Sequence, residues 1–177
     1  SSALVAMIKD TPAPDSPPRS WLIGGESGIG KSRLVEELRV RALVRGGTVL
    51  QGQSVAEGGL PYQLWRDVIR RLVLALELSE LEASIVKEIV PDISTLLGRD
   101  VPDASPIEGK LGQRRLVLTI ADLFRRHKHP TLLILEDLHW ASESLEILKQ
   151  LNLIINDLQL MIVGTYRPFD YPGYYLN

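Results

Sequence analysis

The chain has 177 residues, a formal net charge of -2 and no cysteine, with 45% hydrophobic and 24% charged residues. This length suits one domain with a sizeable core, and the weakly acidic balance argues against a broad surface for nucleic acid or anionic membrane. Without cysteine the chain forms neither disulfides nor thiolate metal sites, which fits a reducing cytoplasm. Residues 1–10 are too short for a signal peptide, and no apolar run approaches the roughly 20 residues that cross a bilayer. We therefore expect a cytoplasmic protein that does not bind membranes.

The first part of the chain predicts a loop, a strand and a helix. An apolar stretch at 3–8 is interpreted as the end of a helix, and four prolines predict a loop over 10–20 because proline disfavours helix interiors and central strands. Apolar residues at 21–23 predict a short buried strand that runs into a glycine-rich turn. The helix that follows extends from 31 to 45 and ends at two glycines, with apolar residues at helical spacing, namely Leu34, Leu38 and Ala42.

The glycine-rich turn at 25–32 matches the pattern Gly-x4-Gly-Lys-[Ser/Thr]. Its glycines permit backbone angles that point successive N–H groups into one concavity, which binds phosphate oxygens at the positive end of the next helix. Lys31 reaches the β- and γ-phosphates of a nucleotide in this kind of loop, and the Ser32 hydroxyl coordinates Mg²⁺. The competing interpretation is a glycine-rich turn with an incidental lysine. The predicted nucleotide-binding residues are Gly25, Glu26, Ser27, Gly28, Ile29, Gly30, Lys31, Ser32 and Arg33.

The rest of the chain alternates helices with strands. Four strands are predicted in all, at 21–25, 48–53, 131–136 and 158–165. Between the second and third strands the predicted features are a helical stripe that steps by four from Leu60 to Leu76, a helix over 80–90, a loop at 98–109 and a helix that ends before Pro130. Ser142 is the predicted N-cap of a helix with Glu143 and Glu146 in its first turn. This alternation predicts an α/β fold with a parallel sheet and right-handed crossovers.

Two carboxylates, Glu136 and Asp137, follow four apolar residues at the end of the third strand. One would hold Mg²⁺ through water and the other would polarise the attacking water. Both can face the nucleotide only if the strand ends between them, because side chains alternate along a strand. Hydrophobic strands that end in acids are also common without any such role.

Other polar side chains receive mainly structural interpretations. His139 is more often structural than catalytic in this setting, and Trp140 is interpreted as a packing residue. His127 and His129 flank a helix end and are interpreted as solvated or C-capping. Arg167 follows the last strand, where an arginine contacts the γ-phosphate or forms an ordinary surface ion pair.

Four segments in order resemble the bacterial STAND class of signal-transduction ATPases. They are Gly-Glu-Ser-Gly-Ile-Gly-Lys-Ser-Arg-Leu at 25–34, Leu-Pro-Tyr at 60–62, Leu-Glu-Asp-Leu-His-Trp-Ala-Ser at 135–142 and Gly-Thr-Tyr-Arg-Pro at 164–168. The class comprises AAA-related P-loop domains of LuxR-type transcription factors, adenylate cyclases and serine/threonine-kinase hybrids, commonly followed by tetratricopeptide repeats. The resemblance covers roughly residues 22–168.

The resemblance implies a fold and a set of roles. The fold is a three-layer P-loop NTPase core, here with four of the usual five parallel strands, and its last strand is inserted between the P-loop strand and the acidic strand. Lys31 and Ser32 would bind phosphate and Mg²⁺, Glu136 and Asp137 would be the acidic pair, and Arg167 the sensor. Members more often carry aspartate at the first acidic position, so the Mg²⁺ role stays open between Glu136 and Asp137. Such domains exchange ADP for ATP, open, oligomerise and reset by slow hydrolysis.

The same resemblance divides the chain into a helix end and proline-rich loop at 1–20, an ATPase core at 21–170 and a stub at 171–177. The fifth strand, helical lid, winged-helix domain and any second sensor are then expected beyond residue 177. We expect this piece alone to bind nucleotide weakly and turn it over slowly, because a lid excludes water and strengthens contacts to phosphate.

The sequence therefore predicts an ATP- and Mg²⁺-dependent switch module of a multidomain signal-transduction or transcriptional regulator, without direct nucleic-acid binding. Three alternatives predict different observations. A small-molecule kinase would phosphorylate an acceptor, a DNA-associated AAA-type ATPase would bind DNA in a salt-dependent way, and a nucleotide-silent interaction scaffold would bind no nucleotide.

Overall fold

The computed structural model of the protein describes residues 19–26, 28–55, 59–138 and 144–167. In chain order the elements are β1 Ser20–Gly24, α1 Lys31–Val44, β2 Thr48–Gln53, α2 Gln63–Val73, α3 Glu80–Val86, α4 Ile93–Leu97, α5 Gly109–Arg126, β3 Thr131–Glu136, α6 Leu145–Leu153 and β4 Leu160–Tyr166. Several predictions lie outside the described residues, namely those for 1–18, Ser27, His139, Trp140, Ser142, Glu143 and the stub at 171–177.

The four strands form one parallel sheet in the order β1-β4-β3-β2. Ser20 lies opposite Ile162 in the β1–β4 pair, and Leu133 lies opposite Ile162 in the β3–β4 pair. The last strand therefore lies between the strand that leads into the glycine-rich loop and the strand that ends in acids. The predicted α/β class, the parallel sheet and this strand insertion are confirmed.

One face of the sheet, which we call the helical face, carries the main hydrophobic core. Helices α2, α5 and α6 pack there against inward-facing residues such as Leu133 and Ile162. At its centre the Trp65 ring meets Phe124 edge-on with centroids 6.4 Å apart, and its indole N–H donates to the Ser144 carbonyl at 2.9 Å. Helix α2 lies so close to β2 that a Cβ at Gly52 would be 2.0 Å from the Leu64 carbonyl oxygen.

The opposite face, which we call the α1 face, is covered much less. Val35 is the side chain of α1 that is buried, and it packs with sheet residues that include Leu132, Ile134 and Val163. Leu34, expected on the buried stripe of this helix, is 45% exposed. The reason is that the stripe is centred on Val35, with Leu38 and Ala42 only partly buried beside it.

Element ends differ from prediction where local turns intervene. Strand β4 begins at Leu160 rather than at 158 because residues Ile155–Asp157 form a 3-10 turn before it. Strand β1 covers 20–24 instead of 21–25, since Gly25 already belongs to the loop.

Two helices of the middle region are shorter than predicted. Leu60 lies before α2 and is 57% exposed, so the stripe stepping by four holds only within 63–73. Helix α3 ends at Val86 rather than at 90, and turns connect it to the short helix α4.

Within the ranges that the structure describes, no helix combines the length and apolar character required to cross a membrane.

Candidate functional site

The glycine-rich loop connects β1 to α1, and two of its described residues have positive φ. Gly28 has φ 90° and Gly30 has φ 98°, and a Cβ at either position would meet no atom within 4 Å. The backbone angles, rather than crowding, therefore require glycine at these positions. At Gly25 an added Cβ would lie 1.9 Å from Cδ1 of Ile29, but this atom ends a side chain that is 62% exposed and free to turn away, so space does not require glycine there. Positive φ at Gly28 and Gly30 is what the glycine pattern of a phosphate-binding loop predicts.

Helix α1 begins at Lys31 with its amino end open to an anion. Gly30 occupies the N-cap and provides no side-chain hydrogen bond, and the first turn contains no acidic residue. The first-turn N–H groups therefore keep their capacity to bind an anion at the positive end of the helix. The side chains of Ser32 and Arg33 are exposed beside these groups.

The Lys31 side chain lies along the loop. Its ammonium group donates hydrogen bonds to the carbonyl oxygens of Gly25 and Glu26, the second at 3.1 Å. A positive charge is thus held within the loop, where a phosphate group requires it.

The acidic pair lies where β3 ends. The strand stops at Glu136, and Asp137 takes a left-handed conformation with φ 59°. The strand therefore ends between the two carboxylates. Both carboxylates can face one site only if the strand ends at this point. The turn also directs Leu138 into the core, where it is 2% exposed. It packs against Gly164, whose missing Cβ would lie 2.5 Å from Leu138 Cδ1.

Two glutamines of β2 bind these carboxylates and were not identified from the sequence. The Gln51 amide donates to Oε2 of Glu136 at 2.7 Å, and the Gln53 amide donates to Oδ2 of Asp137 at 2.8 Å. Both lie on the α1 face, because Val49 of the same strand packs there and side chains alternate. The sequence signal for them is a pair of polar residues, two positions apart, in the second half of a strand whose first half contains the apolar residues.

Strand β4 connects the loop to the acidic pair. The Gly25 N–H donates to the Tyr166 carbonyl at 3.3 Å, and the Asp137 N–H donates to the buried Thr165 hydroxyl at 3.2 Å. Thr165 and Tyr166 were likewise not singled out from the sequence. Arg167 is exposed and follows directly after Tyr166, so the sheet order places it between the loop and the acids.

The oxygen donors at this edge suit a magnesium ion that is shared with a nucleotide. Mg²⁺ keeps several waters and binds through one or two carboxylates together with substrate phosphates. The Ser32 hydroxyl and the carboxylates of Glu136 and Asp137 supply such oxygens at the carboxyl edge of the sheet, beside the glycine-rich loop. The residues therefore fit ATP and Mg²⁺.

Comparison with protein families shows which family the chain belongs to. The model of the AAA ATPase domain family matches residues 2–163. The chain belongs to this family. The resemblance to AAA-related P-loop domains is thereby confirmed, and membership of the AAA ATPase domain family indicates a nucleotide-binding ATPase function. A comparison with curated proteins found no match to this chain.

Proposed function

We propose that this AAA ATPase domain binds ATP with Mg²⁺ through the loop at 25–32 and hydrolyses it slowly, as the nucleotide-dependent switch of a multidomain signal-transduction or transcriptional regulator. The observation that carries the ATP chemistry is the shared edge of the sheet. There the loop, Arg167 and the two carboxylates follow the ends of the neighbouring strands β1, β4 and β3. The regulator context rests on the resemblance of the segments at 135–142 and 164–168 to STAND domains.

In this proposal each group at the edge has one role. The first-turn N–H groups of α1 and the Lys31 ammonium bind the β- and γ-phosphates, with Arg33 exposed nearby. One carboxylate of Glu136 and Asp137 orients Mg²⁺ and the other polarises the attacking water. Mg²⁺ held by these groups would neutralise charge that develops on the phosphates. Arg167 contacts the γ-phosphate and distinguishes ATP from ADP.

The glutamines keep the two carboxylates apart and in place. Each carboxylate accepts a hydrogen bond from a different residue of β2, so rotation of one side chain does not release the other. Preorganised groups lower the reorganisation that the reaction requires. We propose Gln51 and Gln53 as positioning residues for this reason.

The regulator context adds partners to the proposal. They are a helical lid, a winged-helix domain, tetratricopeptide repeats and other copies of the protein in a nucleotide-driven oligomer. Light scattering of the protein with MgATP and with MgADP tests the last of these, because a switch assembles with one nucleotide only. Equal particle mass in both would contradict the oligomer.

The central test of the site is Lys31→Ala with MgATP titrated by calorimetry. We expect binding to weaken by about 100-fold or more, equivalent to about 2.7 kcal/mol, because the loop loses its point charge on the phosphates. Lys110→Ala, which removes an exposed lysine of α5, is the matched control and leaves affinity unchanged. Undiminished binding in Lys31→Ala would refute the assignment of the loop.

Glu136→Gln and Asp137→Asn separate the two acidic roles. The variant that loses the Mg²⁺-orienting group needs more Mg²⁺ to reach half-maximal nucleotide binding. The variant that loses the water-polarising group binds MgATP normally but does not release phosphate. If both variants bind and hydrolyse normally, the acidic pair has no part in the reaction.

A further inference from the structure

At the acidic pair a side chain takes the place of the main-chain ladder between β3 and β4. The paired register of these strands ends with Leu135 opposite Gly164, just before the two carboxylates. Beyond that pair the Asp137 N–H donates to the hydroxyl of Thr165 at 3.2 Å. The main chain of the acidic turn is therefore attached to β4 through one threonine side chain.

Thr165 is placed for this contact by its burial and by the alternation of side chains along β4. It is 4% exposed, and it lies on the α1 face because Val163, two positions earlier, packs there. Buried polar groups in folded proteins are paired, and here the hydroxyl oxygen accepts the N–H of the turn. A side chain of the same shape without the oxygen would leave that donor without this partner.

The turn at Asp137 needs contacts that hold it. Its φ of 59° lies in the left-handed region, which non-glycine residues occupy only where the surrounding structure fixes them. Two hydrogen bonds from opposite neighbours do so. Gln53 of β2 binds the carboxylate at 2.8 Å, and Thr165 of β4 binds the main chain. The first bond orients the side chain, and the second fixes the backbone that carries it.

The residue after Thr165 holds the glycine-rich loop. The carbonyl of Tyr166 accepts a hydrogen bond from the Gly25 N–H at 3.3 Å, and Arg167 follows directly. Two consecutive residues of one strand thus contact the acidic turn and the loop. The end of β4 therefore sets the spacing between Asp137 and the loop.

We propose that Thr165 is a positioning residue for Asp137. Its hydroxyl holds the left-handed turn at a fixed distance from the glycine-rich loop, so that the carboxylate is already in place for its part in ATP hydrolysis. The effect on hydrolysis rests on the function proposed above and deepens it, because it adds a residue of β4 to the glutamines of β2.

Amide hydrogen exchange at Asp137, followed by nuclear magnetic resonance of the full chain without nucleotide, tests the contact itself. We expect Thr165→Val to accelerate this exchange about tenfold or more, because the N–H loses its acceptor. Thr165→Ser keeps the hydroxyl and should retain slow exchange. Equal exchange in Thr165→Val and the unmodified chain would overturn the proposal, as would equally fast exchange in the serine and valine variants.

Phosphate release from MgATP tests the consequence for the reaction. Thr165→Val should change the same parameter as Asp137→Asn, either kcat or the Mg²⁺ concentration for half-maximal turnover. We expect a change of about tenfold, within the range seen when residues that orient site ligands are replaced, with recovery in Thr165→Ser. Accelerated exchange at Asp137 with unchanged turnover would contradict the positioning role.

Thr131→Val is the matched control. Thr131 is also buried, at 7% exposed, and its hydroxyl donates to the His129 carbonyl at 2.8 Å, but it lies at the opposite end of β3. This variant should leave turnover and exchange at Asp137 unchanged, and an equal effect in both valine variants would assign the result to general loss of stability.

Circular dichroism checks that each variant folds, and Thr165→Ala removes the same hydroxyl if Thr165→Val does not fold. Absence of phosphate release from the unmodified chain would refute the proposed function instead. Exchange at Asp137 distinguishes the two failures, because it needs no nucleotide.

Discussion

The two faces of the parallel sheet differ in how much apolar surface they bury. On the helical face the 11 residues of α2 bury six side chains, whereas on the α1 face the 14 residues of α1 bury one. Stability grows with the apolar area removed from water, at roughly 25 cal/mol per Å². Among the described residues, more of the apolar burial that stabilises the fold therefore lies on the helical face. The α1 face instead presents Lys31, Gln51 and Gln53, polar side chains of the candidate site that remain accessible to a ligand.

The largest expected effect compares two tryptophans on the two faces. Trp65 is 0% exposed on the helical face, and Trp21 is 51% exposed on the α1 face. We expect Trp65→Ala to lower the free energy of unfolding by about 3–5 kcal/mol, because it leaves a cavity in the core and removes the hydrogen bond from the indole to the Ser144 carbonyl. Trp21→Ala should cost less than about 1 kcal/mol. Urea unfolding followed by circular dichroism measures both, and equal losses would contradict the difference between the faces.

An intermediate effect is expected from Gln53→Leu, which rests on the proposed function. Its amide is the partner of Asp137, so its loss should lower ATP turnover about tenfold, within the range seen when residues that orient site ligands are replaced. Stability should change little because Gln53 is exposed.

Gln159→Leu is the matched control for this prediction, since Gln159 is exposed just before β4 and far along the strand from the acids. It should leave the rate of phosphate release unchanged. If Gln53→Leu hydrolyses ATP as fast as the unmodified chain does, Asp137 does not depend on β2 for its position.

The smallest effect is a pH dependence on the helical face. His127 is the C-cap of α5, and burial together with the charge of His129 holds its pKa below the ordinary value of 6.5. The sequence interpretation of His127 as a C-cap agrees with this position, but its Nε2 is buried rather than solvated. As the pH falls below 6.5 the unfolded chain binds this proton before the folded chain does. Stability therefore declines with falling pH until the folded pKa is reached.

We expect His127→Gln to reduce this decline when urea midpoints are compared on either side of pH 6.5. Lys128→Gln is the control because it removes a neighbouring exposed charge. An unchanged pH slope in His127→Gln would assign the decline to other groups.

Local patterns in the sequence predicted much of the fold. The loop could be identified from Gly28, Gly30 and Lys31. Glycine readily takes the positive φ angles that such a loop requires, so the pattern alone indicates the loop. The strand at 131–136 was predicted with its observed bounds, because four consecutive apolar residues at 132–135 are typical of a parallel strand that is covered on both faces. The position of the last strand came from the family resemblance and is confirmed.

The arrangement of the candidate site was decided by the tertiary structure. Gln51 and Glu136 are 85 positions apart and Gln53 and Asp137 are 84 apart, so their pairing depends on the register between β2 and β3. The left-handed turn at Asp137 exists because Leu138 must enter the core beside Gly164. Sequence alone determined which residues favour a phosphate-binding loop, because that preference is local. Which side chains hold its acidic partners was determined only by strand register and core packing, because those contacts join distant parts of the chain.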